Sequence, residues 1–265
     1  MRLQSVLALV LLAVAALVPL VAPERAHGQA RELTYLALGD SVPSGTDVPK
    51  GIGYPSRLGQ RIANDTGRPL RLHNRARAGE QSGGVLAMQL DGLSDVAPEL
   101  VTLTVGANDF LVPTFECVAT KLDKAPGDRC NVADPRYSVP ALETNLRAIL
   151  GRVVADTHAT VVVTTYYNPF PRGGRCGSGI ADLSLGFLNK AIARIAGEYR
   201  DRTVVVDLFA VFRGHEGSEP TGWFAPNPLR MRCADIHPNG DGHDAIAGAI
   251  WSSLSPRLSS SASGH

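Results

Sequence analysis

Leu33-Thr34-Tyr35-Leu36-Ala37-Leu38-Gly39-Asp40-Ser41 is a short apolar, β-favouring run that stops at a glycine, a carboxylate and a hydroxyl. A near-continuous apolar run of this kind suits a strand buried on both faces, as in a parallel sheet. Four further segments read the same way: Leu70–Asn74, Leu100–Val105, Thr160–Thr165 and Thr203–Asp207. Helix-like stretches lie around and between them: Tyr54–Asn64, Gly83–Leu90, Val139–Ala155, Ile180–Tyr199 and Asp241–Leu254. Leu142, Leu146, Ile149, Leu150 and Val153 recur at helical spacing, and Leu183, Phe187, Leu188, Ala191, Ile192 and Ile195 repeat the pattern. Strands that alternate with helices imply an α/β domain. The expectation is a three-layer α/β/α sandwich around a parallel sheet of about five strands.

Outward from this core, the N-terminus has a different character. Arg2 precedes an apolar run from Val6 to Val21, followed by Pro23 and the small residues Ala26, Gly28 and Ala30. This is the layout of a secretory signal peptide, so residues 1–30 are set aside as one and the protein is expected to be secreted. An uncleaved membrane anchor is the competing reading, because the run is near spanning length. About 235 residues remain, enough for one domain over residues 31–254. The Ser-, Gly- and Ala-rich tail 255–265 is expected to be disordered. A formal net charge of +1 argues against a broad nucleic-acid-binding surface. Arg68, Arg71, Arg75 and Arg77 are locally basic; a solvated edge explains them better than an anion site.

Ligands of open parallel sheets bind beyond the C-terminal ends of the strands. Gly39-Asp40-Ser41 follows the first strand, and Asn74 leads to Gly79 after the second. Gly106-Ala107-Asn108-Asp109 follows the third, and Asp235-Ile236-His237-Pro238-Asn239 lies in the long loop after the fifth. One hydroxyl, one imidazole, one amide and a flexible backbone N–H therefore converge on one edge. That inventory fits acyl transfer. A serine hydroxyl needs a base, which His237 can be. The oxyanion needs donors, which the N–H groups of Ser41 and Gly79 and the Asn108 amide can be. No metal or organic cofactor is required.

These four motifs, in this order and over nearly the whole mature chain, resemble those of the SGNH or GDSL-type hydrolases. The resemblance implies a flavodoxin-like α/β/α fold and hydrolysis of esters or thioesters. It implies the same roles for Ser41, Gly79, Asn108 and His237. One departure stands out. The family places its acid three residues before the histidine, where this chain has Ala234. Asp235, two residues before His237, points to the same side in an extended segment and is the expected orienting acid. The alternative is the backbone carbonyl of Ala234. The substrate is expected to be a small-molecule or lipid ester, cleaved by a monomer with no stable membrane insertion. A catalytically impaired carbohydrate- or lipid-binding module is the main competitor. A flavodoxin-like cofactor binder using Gly39–Ser44 as a phosphate loop is a weaker one.

Three long irregular stretches remain, 110–137, 168–179 and 209–239, and each holds cysteine. In an exported chain the four cysteines read as two disulfides, although three pairings are open. Cys117 with Cys130, and Cys176 with Cys233, is the expected set, and a zinc site is disfavoured for want of C-x-x-C spacing. Peptide mapping of the unreduced protein by mass spectrometry should yield those two linked pairs. Free thiols would contradict the expectation.

Overall fold

A computed structural model describes residues 31–109, 135–173, 178–218, 221–226 and 235–262. The segment 1–30 and all four cysteines lie outside the described residues. Five strands form one sheet: β1 Leu33–Gly39, β2 Leu70–Asn74, β3 Leu100–Thr104, β4 Thr160–Thr164 and β5 Thr203–Val206. Every pairing is parallel, in the order β2-β1-β3-β4-β5. The expected strands differ from these only at their ends.

Burial follows strand position. The interior strands β1, β3 and β4 are buried along almost their whole length, whereas β2 at the edge is only partly covered. That is why Leu33–Leu38 and Thr160–Thr164 read as unbroken β-favouring runs while Leu70–Asn74 alternates with Arg71 and His73. Arg71 pairs with Glu32, and Arg68 makes a two-pronged pair with Glu99. The locally basic segment is thus largely satisfied by the protein's own groups.

Two long helices cover each face. Helix α1 is the short turn Ser41–Ser44, and α2 spans Tyr54–Thr66. A helical turn α3, Ser82–Gly84, continues into a π-helical stretch Val85–Gln89, and α4 covers Leu93–Val96. Then follow α5 Pro135–Asp156, α6 Ser178–Gly197, α7 Leu208–Val211 and α8 Gly240–Ala262. Helices α2 and α8 pack together on one face, and α5 and α6 on the other. The apolar positions Leu142, Leu146, Ile149, Leu150 and Val153 of α5 are all buried. Residues 255–262 continue α8 beyond Leu254.

β1 has β2 on one side and β3 on the other, so the winding of the sheet reverses there. The crevice beyond the ends of β1 and β3 is the switch point at which such sheets bind ligands. The two strand ends approach closely. Gly39 has φ +130°, and a Cβ added to it would lie 1.9 Å from the Thr104 carbonyl oxygen. Its peptide is held on both sides by the buried Gln89 side chain: the Gly39 N–H donates to Oε1 at 2.8 Å, and Nε2 donates to the Gly39 carbonyl at 2.9 Å. Gly39→Ala combines a steric clash with backbone strain and should cost about 3 kcal/mol or more. Thermal or denaturant unfolding would measure it, and an unchanged midpoint would contradict the tight contact.

Candidate active site

Ser41 begins α1, directly beyond β1. Asp40 is its N-cap, and the Val42 N–H donates to Asp40 Oδ1 at 3.0 Å. The other carboxylate oxygen accepts from the Tyr166 hydroxyl. Asp40 is almost fully buried. Burial pushes its carboxyl up to about 7, opposed by the Tyr166 and Val42 hydrogen bonds. Asp40 therefore faces into the protein beneath the half-buried Ser41. Asn74, at the end of β2, donates through Nδ2 to the Pro43 carbonyl at 2.7 Å and ties that strand to the same turn.

Gly79 lies in the loop after β2 with φ +78°, and a Cβ there would meet nothing within 4 Å. The space on the side where a side chain would project is open. Asn108, after β3, donates through Nδ2 to the Glu80 carbonyl at 3.0 Å, and Gln81 Nε2 donates to the Asn108 carbonyl at 3.2 Å. Asp109 accepts from the Ser82 N–H at 3.0 Å and from its hydroxyl. These bonds join the 79–82 loop to the 106–109 loop. They leave Asn108 one further amide hydrogen to donate.

His237 sits in a segment fixed through its backbone. The Ala225 N–H donates to the His237 carbonyl at 2.9 Å, the Asn239 N–H to the Trp223 carbonyl at 2.9 Å, and the Tyr167 hydroxyl to the Ile236 carbonyl at 3.2 Å. Phe224 and Pro238 form an antiparallel bridge. Tyr167, Phe212, Phe224 and Trp223 stack behind this segment with ring centroids 4.3 to 5.5 Å apart. These rings thus support the His237 segment. Tyr166 is itself clamped, its N–H donating to Asn189 Oδ1 and its carbonyl accepting from Asn189 Nδ2, both at 2.8 Å.

The imidazole of His237 meets a carboxylate, but not the expected one. Its Nδ1 lies 2.6 Å from Asp47 Oδ2. Asp235 instead accepts a hydrogen bond from the Ser218 hydroxyl at 2.9 Å. Asp235, the expected acid, meets the Ser218 hydroxyl, while Asp47 reaches the imidazole from a turn distant in sequence. Ala234 lies outside the described residues. Among the described residues, neither Ser41 Oγ nor His237 Nε2 is engaged by another protein group.

Sequence reasoning missed Asp47, Gln89 and Asn189. The last two act on backbone and carry no pattern. Asp47 left one faint signal, an acid six residues beyond Ser41 after Gly45-Thr46. Asp244 pairs with Arg57 and Arg61, and His243 Nδ1 accepts from the Tyr54 N–H at 3.2 Å.

A five-stranded parallel sheet with these polar loops at its switch point is the architecture of an α/β/α hydrolase. The chain belongs to the GDSL-like Lipase/Acylhydrolase family, whose model matches residues 37–245. It is an ester-bond hydrolase. Its fold is similar to that of a lipase from a goat rumen metagenome (TM-score 0.63, 21% identity, covering 83% of this chain and 97% of the other). It is also similar to phospholipase A1 from Streptomyces albidoflavus NA297 (TM-score 0.62, 23% identity, covering 83% and 98%). An acetylxylan esterase from Geobacillus stearothermophilus gives a TM-score of 0.58 at 14% identity, covering 85% and 95%. None of the curated proteins matches the sequence significantly.

His243 makes a separate prediction. It is buried, and since Nδ1 accepts, its proton is on Nε2, for which no partner exists among the described residues. Burial first, then the Arg57 and His237 charges, lower its pKa from 6.5 to about 4. The unfolded chain therefore binds the proton more readily, and this group's stabilising contribution is lost as pH falls from 6.5 through about 4. The raised pKa of Asp40 acts oppositely, with stability lost as pH rises from 3.8 through about 7. His243→Asn should remove the first effect alone. Its unfolding free energy relative to the parent should shift by about 3 kcal/mol in favour of the variant between pH 7 and pH 4. Denaturant titrations at the two pH values would measure this, and a pH-independent difference would refute it.

Proposed function

We propose that the protein is a secreted serine esterase or lipase that cleaves carboxylic esters through an acyl-enzyme on Ser41. The observation that carries the reading is the placement of Ser41 at the switch point together with an imidazole whose Nδ1 is held by a carboxylate at 2.6 Å. An imidazole bound in this way through Nδ1–H keeps the lone pair of Nε2 for the substrate side.

In the proposed reaction His237 Nε2 takes the Ser41 hydroxyl proton as Oγ attacks the acyl carbonyl carbon. The tetrahedral oxyanion accepts hydrogen bonds from the N–H groups of Ser41 and Gly79 and from Asn108 Nδ2. The C–O bond to the alcohol then breaks, and His237 returns the proton to the leaving oxygen. Water repeats the sequence on the acyl-enzyme, giving the carboxylic acid and free Ser41. The absence of a side chain at Gly79 supports its part in this scheme, because no Cβ of its own stands beside the N–H.

Export rests on the leader pattern of residues 1–30 and on the even cysteine count. Among the described residues, no helix is long and apolar enough to cross a membrane. The substrate class is a small-molecule or lipid ester.

The test is hydrolysis of a short-chain chromogenic ester. Ser41→Ala should reduce kcat by about 10⁴-fold or more, and an organophosphate should label the parent at Ser41. Asn108→Ala should lower kcat by about 10²–10³-fold with little effect on KM. Full activity in Ser41→Ala would overturn the mechanism. A protein that binds acyl glycerides or acetylated sugars without turning them over would support the binding-module alternative. A series of acyl chain lengths would then rank lipid against short-chain esters.

A further inference from the structure

We propose that Asp47, on the turn just beyond the nucleophile's own helix, is the positioning carboxylate for His237, and that Asp235 is not. This rests on the reading of Ser41 and His237 as nucleophile and base. It departs from the arrangement that the sequence resemblance implies, in which the acid precedes the histidine by three residues.

The contact itself is the first support. A separation of 2.6 Å between Asp47 Oδ2 and His237 Nδ1 is short for a nitrogen–oxygen pair and marks a charge-assisted hydrogen bond. The two side chains are 23% and 19% exposed, so the pair is partly shielded from solvent although Asp47 lies at the surface. The bond falls on Nδ1, the nitrogen that has to be occupied if Nε2 is to act as base.

The turn that carries Asp47 is the second. Asp47 has φ +66°, one of two positive values at non-glycine residues among the described residues. Aspartate tolerates this left-handed region better than most residues, but a cost of about 1 kcal/mol remains. Such strain persists where the surroundings enforce it. Here the Thr46 N–H donates to the Ser41 carbonyl at 3.1 Å and the Val48 N–H to the Gly45 carbonyl at 3.4 Å. The Ser44 and Thr46 hydroxyls bond each other at 2.9 Å. Gly45, at φ +76°, packs on Gly53, where an added Cβ would lie 3.2 Å from the Gly45 Cα. None of these bonds uses the Asp47 carboxylate. An ordinary turn aspartate accepts from N–H groups of its own loop; this one reaches across 190 positions to the imidazole instead.

The third support is the state of the competitor. Asp235 accepts from the Ser218 hydroxyl, and its own backbone leads directly into the bridged segment that fixes His237. The carboxylate is directed to the 217–218 turn while the imidazole is directed to residue 47.

The experiment uses the full-length protein, a short-chain chromogenic ester, and the variants Asp47→Asn, Asp47→Ala, Asp47→Glu, Asp235→Asn and Ser41→Ala. Asp47→Asn and Asp47→Ala should each lower kcat by about 10²–10⁴-fold with KM changed less than about threefold. Asp47→Glu should recover at least about tenfold of that loss, and Asp235→Asn should lose less than about fivefold. Proton NMR supplies a readout that a loss of turn structure alone would not give. The strongly deshielded Nδ1 proton of His237 should be present in the parent and in Asp235→Asn, and absent from folded Asp47→Asn. Near-parental kcat in Asp47→Ala would overturn the proposal. A large loss in Asp235→Asn alone would then assign the role to Asp235, and small losses in both would assign it to a backbone carbonyl. Retained activity in Ser41→Ala would instead sink the serine mechanism, and the two failures are told apart by that single variant. Should Asp47→Ala not fold, the near-isosteric Asp47→Asn and the Asp47→Glu rescue still decide the matter.

Discussion

The contact between Gly39 and the Thr104 carbonyl sets the geometry on which the site depends. Two parallel strands come so near at their ends that no side chain fits between them. The Asp40 N–H then bonds the Thr104 carbonyl at 3.1 Å, and the chains beyond must part. One becomes the turn of Ser41 and the other the loop of Asn108. The crevice is thus a consequence of backbone packing. Gln89 secures it by bonding both polar groups of Gly39, whose carbonyl also accepts from the Arg77 N–H at 3.0 Å. Leaving the buried Gly39 N–H unpaired would cost about 1–3 kcal/mol.

Below that contact the sheet interior carries an unusual amount of polar chemistry. Tyr54 and Tyr35 reach hydroxyls of Thr104 and Thr102, and Thr164 bonds Thr104. All five residues are buried. Each hydroxyl is partnered, which is the condition under which buried polar groups are tolerated and specify one arrangement. Asp40 and His243, also buried, are shifted in ways that oppose each other, one favouring its protonated form and the other its neutral form. Their titrations tilt stability in opposite directions over an overlapping acid range.

The fold was readable because interior parallel strands need apolar residues on both faces, and Leu33–Leu38, Leu100–Val105 and Thr160–Thr165 have them. The loops carrying Ser41, Gly79, Asn108 and His237 were readable because they follow strand ends. Asp47 was not. Its partner is 190 residues away, and a carboxylate after Gly45-Thr46 resembles any turn aspartate. Asp235 drew attention by nearness in sequence, whereas the structure rewards nearness in space. Gln89 and Asn189 escaped notice for a further reason: both clamp backbone, and peptide groups leave no mark on composition. The segments 110–134 and 227–234 lie outside the described residues, as do the cysteines they contain.

The turn at residues 41–47 also changes how many things must be right at once. Three groups on three separate segments would have three mutual placements to satisfy, each open to independent drift. With Ser41 and Asp47 on one turn, locked by the Thr46–Ser41 bond and the Gly45–Gly53 contact, two of the groups form a single rigid body. Only one relative placement is left, that of the His237 segment against this body. The degrees of freedom fall accordingly, and a substitution in the aromatic stack behind His237 moves one hinge of the machine and leaves the geometry of the other half intact.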